Sequence, residues 1–336
     1  MELLYNSTDY IDFLRLLAIQ FGTKVHNNFI RIPDAIGTGY VWAENLADGL
    51  SILVTDVVLK KEYIFNRHPS HTQSYILHLN DINPESDGQP GSIDIKTGDA
   101  QIIQQAVFLT NINIATKFVL PANARLRIVK IIFGKDSLLP YMSSEAFDEF
   151  VGSYFSEMAK TRIFDPLDAE YREIVGELIK EKIDHPIRMV FIGNRVRLLL
   201  ERFAIKFMTR ISSKFDMQKL SDDEIARLMM VEALLVKDYS LSPPTIDKLS
   251  KLSAMSPTKL KRDFKSMYGS PIYEYYQKNR MAYAKKLLIS GKYSIKEIGM
   301  LVGYSNLGHF AAAFKKEFDV LPSEMINTKD IRLEFQ

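Results

Sequence analysis

The stretch KLSAMSPTKLKRDFKSMYGSP, residues 251–271, places basic side chains around a short apolar series. Leu260 and Phe264 are four positions apart, which puts them on one face of a helix, with Met267 beside them. Five basic side chains surround this face: Lys251, Lys259, Lys261, Arg262 and Lys265. A helix of this kind packs by its apolar face and offers positive charge to a partner.

The layout of this stretch occurs twice in the last hundred residues. With a shift of 49 positions, Ile246, Leu249 and Leu252 align with Ile295, Ile298 and Leu301. After one extra residue in the turn, Leu260, Phe264 and Tyr268 align with Phe310, Phe314 and Phe318. Each copy predicts a short helix, a turn and a second helix with an apolar stripe. This is the helix-turn-helix layout, in which the second helix enters the major groove of DNA.

A single long helix is predicted between the two copies, over residues 271–290. Pro271 suits its start and Gly291 its end. Its length would be roughly 30 Å, close to the roughly 34 Å of one DNA turn. The two helix-turn-helix units, predicted at 245–268 and 294–318, would then reach successive segments of the major groove.

Both copies resemble the DNA-binding domain of AraC-type (AraC/XylS) transcription regulators, over about a quarter of the chain from Thr245 to Met325. The matching positions in the first copy and the connecting helix are Ser256, Leu260, Arg262, Phe264, Gly269, Pro271, Arg280, Ala284, Leu287 and Leu288. Those in the second copy are Ile298, Gly303, Tyr304, Phe310, Phe314, Lys315 and Pro322. The resemblance implies a sequence-specific transcription regulator that binds promoter or operator DNA and is not an enzyme.

We expect the DNA contacts to come from the second helix of each copy and the turn before it. The candidates in the first copy are Ser256, Thr258, Lys259, Lys261, Arg262 and Lys265. Those in the second are Ser305, Asn306, Leu307, Gly308, His309, Ala312, Lys315 and Lys316. Leucine and alanine cannot form the bidentate hydrogen bonds that distinguish G·C from A·T pairs. The first copy, through Thr258, Lys261 and Arg262, is therefore expected to supply most direct base readout, and the second mainly positioning.

Charge is unevenly distributed along the chain, although the net charge is only +2. From Ser240 to Gln336 there are 16 Lys and Arg residues against 9 Asp and Glu residues, a balance of +7, so the rest carries −5. A basic C-terminal part suits a polyanionic partner. Asp263 and Glu297 are expected to pair with neighbouring lysines, away from the groove.

Composition excludes several kinds of protein. The 336 residues contain no cysteine, which excludes disulfides, thiolate metal sites and a cysteine nucleophile, and fits the cytoplasm. The N-terminus does not have the pattern of a signal peptide, and no run of about 18 apolar residues occurs. We therefore expect neither secretion nor a membrane span.

Three successive patterns predict a multidomain α+β protein. Residues 1–140 contain short β-branched and aromatic runs at fairly even spacing, typical of an antiparallel barrel or sandwich. Residues 141–220 have helical spacing, and the segment 187–211 is apolar over much of its surface. Its seam consists of Val196, Leu200, Phe203, Phe207 and Ile211, and belongs either in a core or against a second subunit. Residues 221–336 are expected to form the all-α DNA-binding domain.

The resemblance also implies roles for the first two segments. AraC-type chains with a β-rich N-terminal domain usually have a cupin-like barrel that senses a small molecule, followed by helices for dimerisation. A small-molecule effector, a homodimer and contact with RNA polymerase, as in an activator, are the corresponding expectations. Polar-tipped aromatic residues and arginines on alternating strands suit a barrel lumen. The candidate ligand-binding residues are Trp42, Tyr63, Tyr75, His78, Arg125 and Arg127.

Two other classes of protein stay open at this point. A cupin-type metal enzyme needs two histidines one residue apart, with a carboxylate and a further histidine downstream. His68, His71 and His78 lack that spacing, so we expect packed or surface histidines and neither metal nor cofactor. A scaffold protein would use the helical repeat for protein contacts and would show no salt-dependent affinity for DNA.

Overall fold

A computed structural model describes residues 2–5, 9–70, 72–84, 95–97, 100–102, 105–160, 164–180, 186–212 and 220–326. His71 lies outside these ranges. The chain divides into two compact units, Met1–Gln218 and Lys219–Gln336. Among the helices within these ranges, none is long and apolar enough to cross a membrane.

The N-terminal unit is rich in strands and ends in helices. Its strands are β1 (Glu2–Tyr5), β2 (Phe29–Arg31), β3 (Gly37–Asn45), β4 (Ser51–Leu59), β5 (Tyr63–Arg67), β6 (Ser74–Pro84), β7 (Ile95–Thr97), β8 (Ala100–Ile102), β9 (Gln105–Asn111), β10 (Thr116–Leu120), β11 (Ala124–Gly134) and β12 (Asp165–Pro166). Its helices are α1 (Tyr10–Phe21), α2 (Lys135–Leu138), α3 (Ser144–Lys160), α4 (Ala169–Ile179) and α5 (Arg188–Ser212).

A seven-stranded antiparallel sheet, in the order β12-β9-β6-β11-β4-β3-β2, forms the centre of this unit. A three-stranded sheet, β1-β5-β10, and the β7-β8 pair complete the strands. The end strands β12 and β2 do not pair with each other in the described ranges, so this sheet is open. The mixed α and β character agrees with the prediction, whereas a closed barrel is absent from the described part.

The two faces of the large sheet carry different layers, because side chains alternate along each strand. On one face, residues such as Ile52, Val54 and Val129 form a core with α3, α4 and α5. Four of the five residues in the predicted seam of α5 belong to this core, since Val196, Leu200, Phe203 and Phe207 are all buried there. The side chain of Ile211 lies outside the described part. On the other face, Leu53, Thr55 and Ile128 point towards α1 and the three-stranded sheet, with a cavity between them.

The C-terminal unit is helical: α6 (Asp222–Val236), α7 (Ile246–Ser253), α8 (Pro257–Tyr268), α9 (Ile272–Ser290), α10 (Ile295–Leu301) and α11 (Leu307–Phe318). Five of these helices begin after a side chain that accepts a backbone N–H: Ser221, Thr245, Ser256, Ser294 and Asn306. Pro271 directly precedes α9, and Gly291, with φ of 66°, ends it. Both ends of the long helix agree with the sequence.

Helix α9 joins two separate cores. Tyr275 and Tyr276, from its first half, pack with Leu260 and Phe264 of α8 and with residues of α6 and α7. Residues from its second half, Met281, Ala284 and Leu288, pack with Ile298, Val302, Phe310 and Phe314 of α10 and α11. The 19 residues of α9 span about 28 Å and hold the two helix-turn-helix copies apart.

Candidate nucleic-acid interface

Helix α8 is oriented by its buried side. The Ser256 hydroxyl accepts the Lys259 backbone N–H at 3.3 Å, and Pro257 occupies the first helical position. Leu260 and Phe264 have no exposed surface, so the core fixes the rotation of the helix about its axis. The opposite side of α8 therefore faces solvent.

The exposed side of α8 carries most of the first copy's predicted contact residues. Ser256, Thr258, Lys261, Arg262 and Lys265 are exposed, and Lys259 is half-buried. Positions 258, 261, 262 and 265 recur at helical spacing and share one face. The structure thus brings the predicted set together as one polar, cationic surface.

An ion-pair network orders the middle of this surface. The Lys259 ammonium nitrogen lies 2.9 Å from Glu224 Oε1 of α6 and 2.8 Å from Asp263 Oδ2. The Arg262 Nε atom donates to Asp263 Oδ1 at 2.7 Å, while 68% of the Arg262 side-chain surface remains exposed. The network holds the start of α8 against α6 and fixes one edge of the Arg262 guanidinium.

The network also determines how its members titrate. Burial favours the neutral form of Asp263, but hydrogen bonds from Arg262 and Lys259 outweigh it and lower the pKa of this carboxyl group. Hydrogen bonds to Asp263 and Glu224 raise the pKa of Lys259. The predicted pairing of Asp263 with a lysine is confirmed. The matching prediction for Glu297 is wrong, because Glu297 accepts from Ser294 at the start of α10, where a carboxylate can cap the first turn.

Helix α11 presents a different surface on a similar scaffold. Asn306 caps it by accepting the His309 backbone N–H at 3.1 Å, and Phe310 and Phe314 have no exposed surface. All eight predicted contact residues of this copy are exposed: Ser305, Asn306, Leu307, Gly308, His309, Ala312, Lys315 and Lys316. Leu307 stands at the beginning of the helix with 47% of its surface exposed.

The alignment of the two copies shows where the surfaces diverge. With the shift of 50 positions that superimposes their cores, Lys259 and Arg262 correspond to His309 and Ala312. Asp263 corresponds to Ala313. The second copy therefore has no counterpart of the ion-pair network at these positions.

The sequence did not predict the contacts of Arg280 with Val302 and Tyr304, which fix the second copy to α9. The buried Arg280 donates from Nε to the Val302 carbonyl oxygen, and its guanidinium carbon lies 3.9 Å from the centre of the Tyr304 ring. Gly303 lies between Val302 and Tyr304 in the chain. Its φ is +74°, and a Cβ atom at this position would lie 2.5 Å from the Tyr239 carbonyl oxygen. The signal was present, since Arg280, Gly303 and Tyr304 all belong to the matched pattern.

The candidate ligand-binding residues of the N-terminal unit lie in several places. Trp42 and Tyr75 pack on the helix-covered face of the large sheet. Arg125 forms an ion pair with Asp56 at 2.8 Å, and Arg127 lies 3.9 Å from Asp56. Tyr63, in the small sheet, packs against the ring of Phe21.

His78 is the candidate that faces the space between the sheets. It is fully buried, stacks on Phe108 at a centroid distance of 4.5 Å, and its Nε2 atom lies 2.9 Å from Thr110 Oγ1. These contacts make it a packed histidine. Within the described ranges, no three or more acidic or histidine side chains are grouped as metal ligands.

The cavity of this unit lies between the two sheets and α1. The cavity and its solvent-open mouth together span about 560 Å³. Its lining residues are Tyr5, Phe13, Leu17, Phe21, Ile32, Val41, Leu53, Thr55, Val57, Leu59, Phe65, Phe118, Leu120, Ile128 and Lys130. None of the six sequence candidates is among them. Lys130 was overlooked, although a lysine inside the apolar run RIVKIIF is itself a signal.

Comparison with known proteins identifies the C-terminal unit. A family profile described as "Helix-turn-helix domain" matches residues 249–328. The probable transcriptional regulator LumQ of Photobacterium leiognathi is 23% identical over 190 residues, which cover 56% of this chain and 68% of that protein. The xylose operon regulatory protein of Escherichia coli K12 is 28% identical over 109 residues, covering 32% of this chain and 27% of that protein.

Among solved structures, the C-terminal domain of AraT, a response regulator from Geobacillus stearothermophilus, is 30% identical to this chain. The match covers 33% of this chain and 88% of that domain, with a TM-score of 0.29. The chain spans about a quarter of the length of the xylose operon regulatory protein and about two thirds of the length of LumQ.

Proposed function

We propose that this chain, whose C-terminal part is a helix-turn-helix domain of the AraC type, is a sequence-specific DNA-binding transcription regulator that acts in the cytoplasm. One observation carries the proposal. Two helices, α8 and α11, each bury an apolar face in a separate core and expose the opposite face, and α9 holds the two cores apart. Its length of about 28 Å approaches one turn of DNA, about 34 Å, so both helices can enter the major groove on one side of the duplex.

The two copies divide the work of recognition. Arg262 on α8 keeps 68% of its side-chain surface exposed, and an arginine can donate two hydrogen bonds to the O6 and N7 atoms of guanine. Thr258 and Lys261 lie beside it on the same face. Helix α11 offers Lys315 and Lys316 to phosphates, and Leu307 and Ala312 to thymine methyl groups.

The N-terminal unit serves as a sensor with a cupin-like, partly open sheet architecture. Binding of a small molecule to this unit shifts the equilibrium between arrangements of two DNA-binding units, and so changes promoter occupancy or contact with RNA polymerase. The cavity between its two sheets is the place that the described residues offer for such an effector.

The regulator acts as a homodimer in this proposal. After α5 has buried its seam, it still exposes Val190, Ile205 and Met208 at 62%, 49% and 48% of their surfaces. Apolar side chains of this size on one helix suit a contact with a second copy of the chain. Sedimentation equilibrium of the wild type and of a Val190→Glu, Ile205→Glu variant tests this contact. If α5 forms the dimer contact, the wild type is a dimer and the variant is a monomer.

The central experiment measures binding of the full chain to fragments of its own upstream region, at two salt concentrations and with random competitor DNA. A regulator binds one fragment in the presence of competitor and loses affinity as salt rises, because bound counterions are released from the phosphates. Binding that competitor abolishes, or that salt leaves unchanged, would argue for a scaffold protein instead.

A further inference from the structure

The space between the two sheets of the N-terminal unit contains cationic groups that have no carboxylate partner among the described residues. Lys130 of β11 lines the cavity, and its ammonium nitrogen lies 3.8 Å from the centre of the Phe118 ring. No described carboxylate lies within ion-pair distance of it. Its pKa falls to about 7, because burial removes water from the ammonium group and the charge of Arg67 repels it.

Two further polar groups lie near Lys130, and one of them, Arg67, is a second cation. Arg67 of β5 is 3% exposed, and its Nε and Nη1 atoms have no hydrogen-bond partner within the described ranges. His78 is paired directly with Lys130 in the strand register, and its buried Nδ1 atom is also without a partner there. Buried polar groups are normally paired, so the Arg67 donors that have no described partner, next to the Lys130 ammonium group, suit an anionic ligand.

The rest of the cavity wall is apolar. Thirteen of its fifteen lining residues are aliphatic or aromatic, and Thr55 is the one polar residue in addition to Lys130. The Tyr5 hydroxyl is held neutral, because burial raises its pKa to about 12. A ligand that fills this space must therefore be apolar over most of its surface, with one charged end.

We propose that the cavity between the two sheets binds an apolar small molecule with a single carboxylate, and that the Lys130 ammonium group is its counterion. The inference rests on the proposed sensor role of this unit and names the chemical class of the effector. The apolar wall binds the body of the ligand, and Lys130, the charged residue of the lining, binds its carboxylate, with the Arg67 charge close behind it.

Binding has a consequence for protons. The other titratable groups near Lys130 are Tyr5 of β1, Tyr10 of α1, Arg67 of β5 and His78 of β6. At pH 8 both tyrosines stay neutral and Arg67 stays charged, while burial keeps His78 neutral. A bound carboxylate favours the ammonium form of Lys130, which is mostly neutral at this pH, so the complex takes up close to one proton. At pH 6 Lys130 is already charged, and the uptake nearly vanishes.

The test is isothermal titration calorimetry on the full chain with three probes of equal length: octanoate, 1-octanol and octylamine. We expect octanoate to bind at least 10-fold more tightly than octanol, and octylamine to bind most weakly. Titrations at pH 8 in two buffers of different ionisation enthalpy measure the proton uptake. Absence of octanoate binding, or equal affinity for octanoate and octanol, would overturn the proposal.

Three variants localise the effect. Lys130→Met should reduce octanoate affinity to the level of octanol and abolish proton uptake, whereas Lys117→Met, on the exposed side of β10, should change neither. Ile128→Phe fills the cavity and should weaken both probes. A Lys130→Met protein that still prefers octanoate would contradict the inference.

The same preparations are also tested for binding to the upstream DNA fragment. Specific DNA binding without octanoate binding would reject the proposed ligand class and leave the proposed regulator standing. Octanoate binding without specific DNA binding would reject the proposed regulator and leave the ligand class standing.

Discussion

The two helix-turn-helix copies have nearly the same interior and different exteriors. Leu249 and Ile298 are both fully buried at equivalent positions, as are Leu260 and Phe310. Their turns also agree, since Ala254 and its counterpart Gly303 both have left-handed backbone conformations, with φ of 48° and 74°. The shared interior fixes how each second helix is presented.

The exteriors differ most where DNA would lie. The first copy has Lys259, Arg262 and Asp263 joined in an ion-pair network, and the second has His309, Ala312 and Ala313 in their places. Core packing constrains the buried positions of a repeat, while the exposed positions are free to change. A repeat therefore predicts the fold of both copies together, but the role of each copy only from its own surface.

The largest expected effect distinguishes the two turns. Gly303→Ala should lower the free energy of unfolding of the C-terminal unit by about 2–4 kcal/mol, because a side chain adds left-handed strain of about 1–2 kcal/mol and collides with a backbone oxygen. Ala254→Gly should change it by less than about 1 kcal/mol, since strain relief and added chain entropy nearly cancel. Urea unfolding followed by circular dichroism measures both. Equal effects at the two turns would show that the contacts around Gly303 do not hold the second copy on α9.

The next effect concerns base readout. Arg262→Ala should reduce discrimination between operator and random DNA by about 1–3 kcal/mol, because the exposed guanidinium is the best base-reading group of either copy. Ala312→Ser, at the equivalent position of α11, should leave discrimination unchanged. Competition binding assays on both DNAs measure the ratio. An equal loss on the two DNAs would make Arg262 a phosphate contact.

The comparison also shows what the sequence can and cannot predict. The apolar repeat predicted both cores, and Thr245, Pro271 and Gly291 predicted helix ends, because these features depend on residues a few positions apart. The partner of Lys259 was not predictable in this way, since Glu224 precedes it by 35 positions and reaches it only through the packing of α6 on α8. Leu252 and Leu301 align as well as the core residues, yet they are 50% and 40% exposed.

In the N-terminal unit, too, the sequence predicted local features of the strands but not their long-range packing. Their alternation predicted two faces, but not which face would border the cavity. Trp42 and Val41 are adjacent, and only Val41 lines the cavity, while Trp42 packs towards the helices. A shift of one residue moves a side chain to the other face of a sheet. Which face borders the cavity depends on the order in which the strands pair and on the elements that pack on each face. Both depend on distant parts of the chain.

A smaller effect tests the role assigned to the second copy. Lys315→Ala and Lys316→Ala should each weaken binding to operator and random DNA by the same factor, and each should reduce the salt dependence by about one counterion. Lys292→Ala, an exposed lysine outside the predicted contact set, serves as the control. Binding isotherms at several salt concentrations provide the slopes. Loss of discrimination in either variant would assign base readout to α11 as well.

The smallest effect uses pH to separate the copies. The folded pKa values of Asp263 and Glu224 are lowered, the first by hydrogen bonds that outweigh burial and the second chiefly by the Lys259 hydrogen bond. Their stabilisation is therefore complete above the unfolded pKa values near 4 and is lost as pH falls through the lower folded values. Below about pH 4, amide hydrogen exchange should show α8 losing protection before α11, whose corresponding positions carry no carboxylate. In Glu224→Gln this order should weaken, because one carboxylate of the network no longer titrates. If α11 lost protection first, the ion pairs would not be what holds α8 to α6, and the contrast between the copies would be limited to DNA contacts.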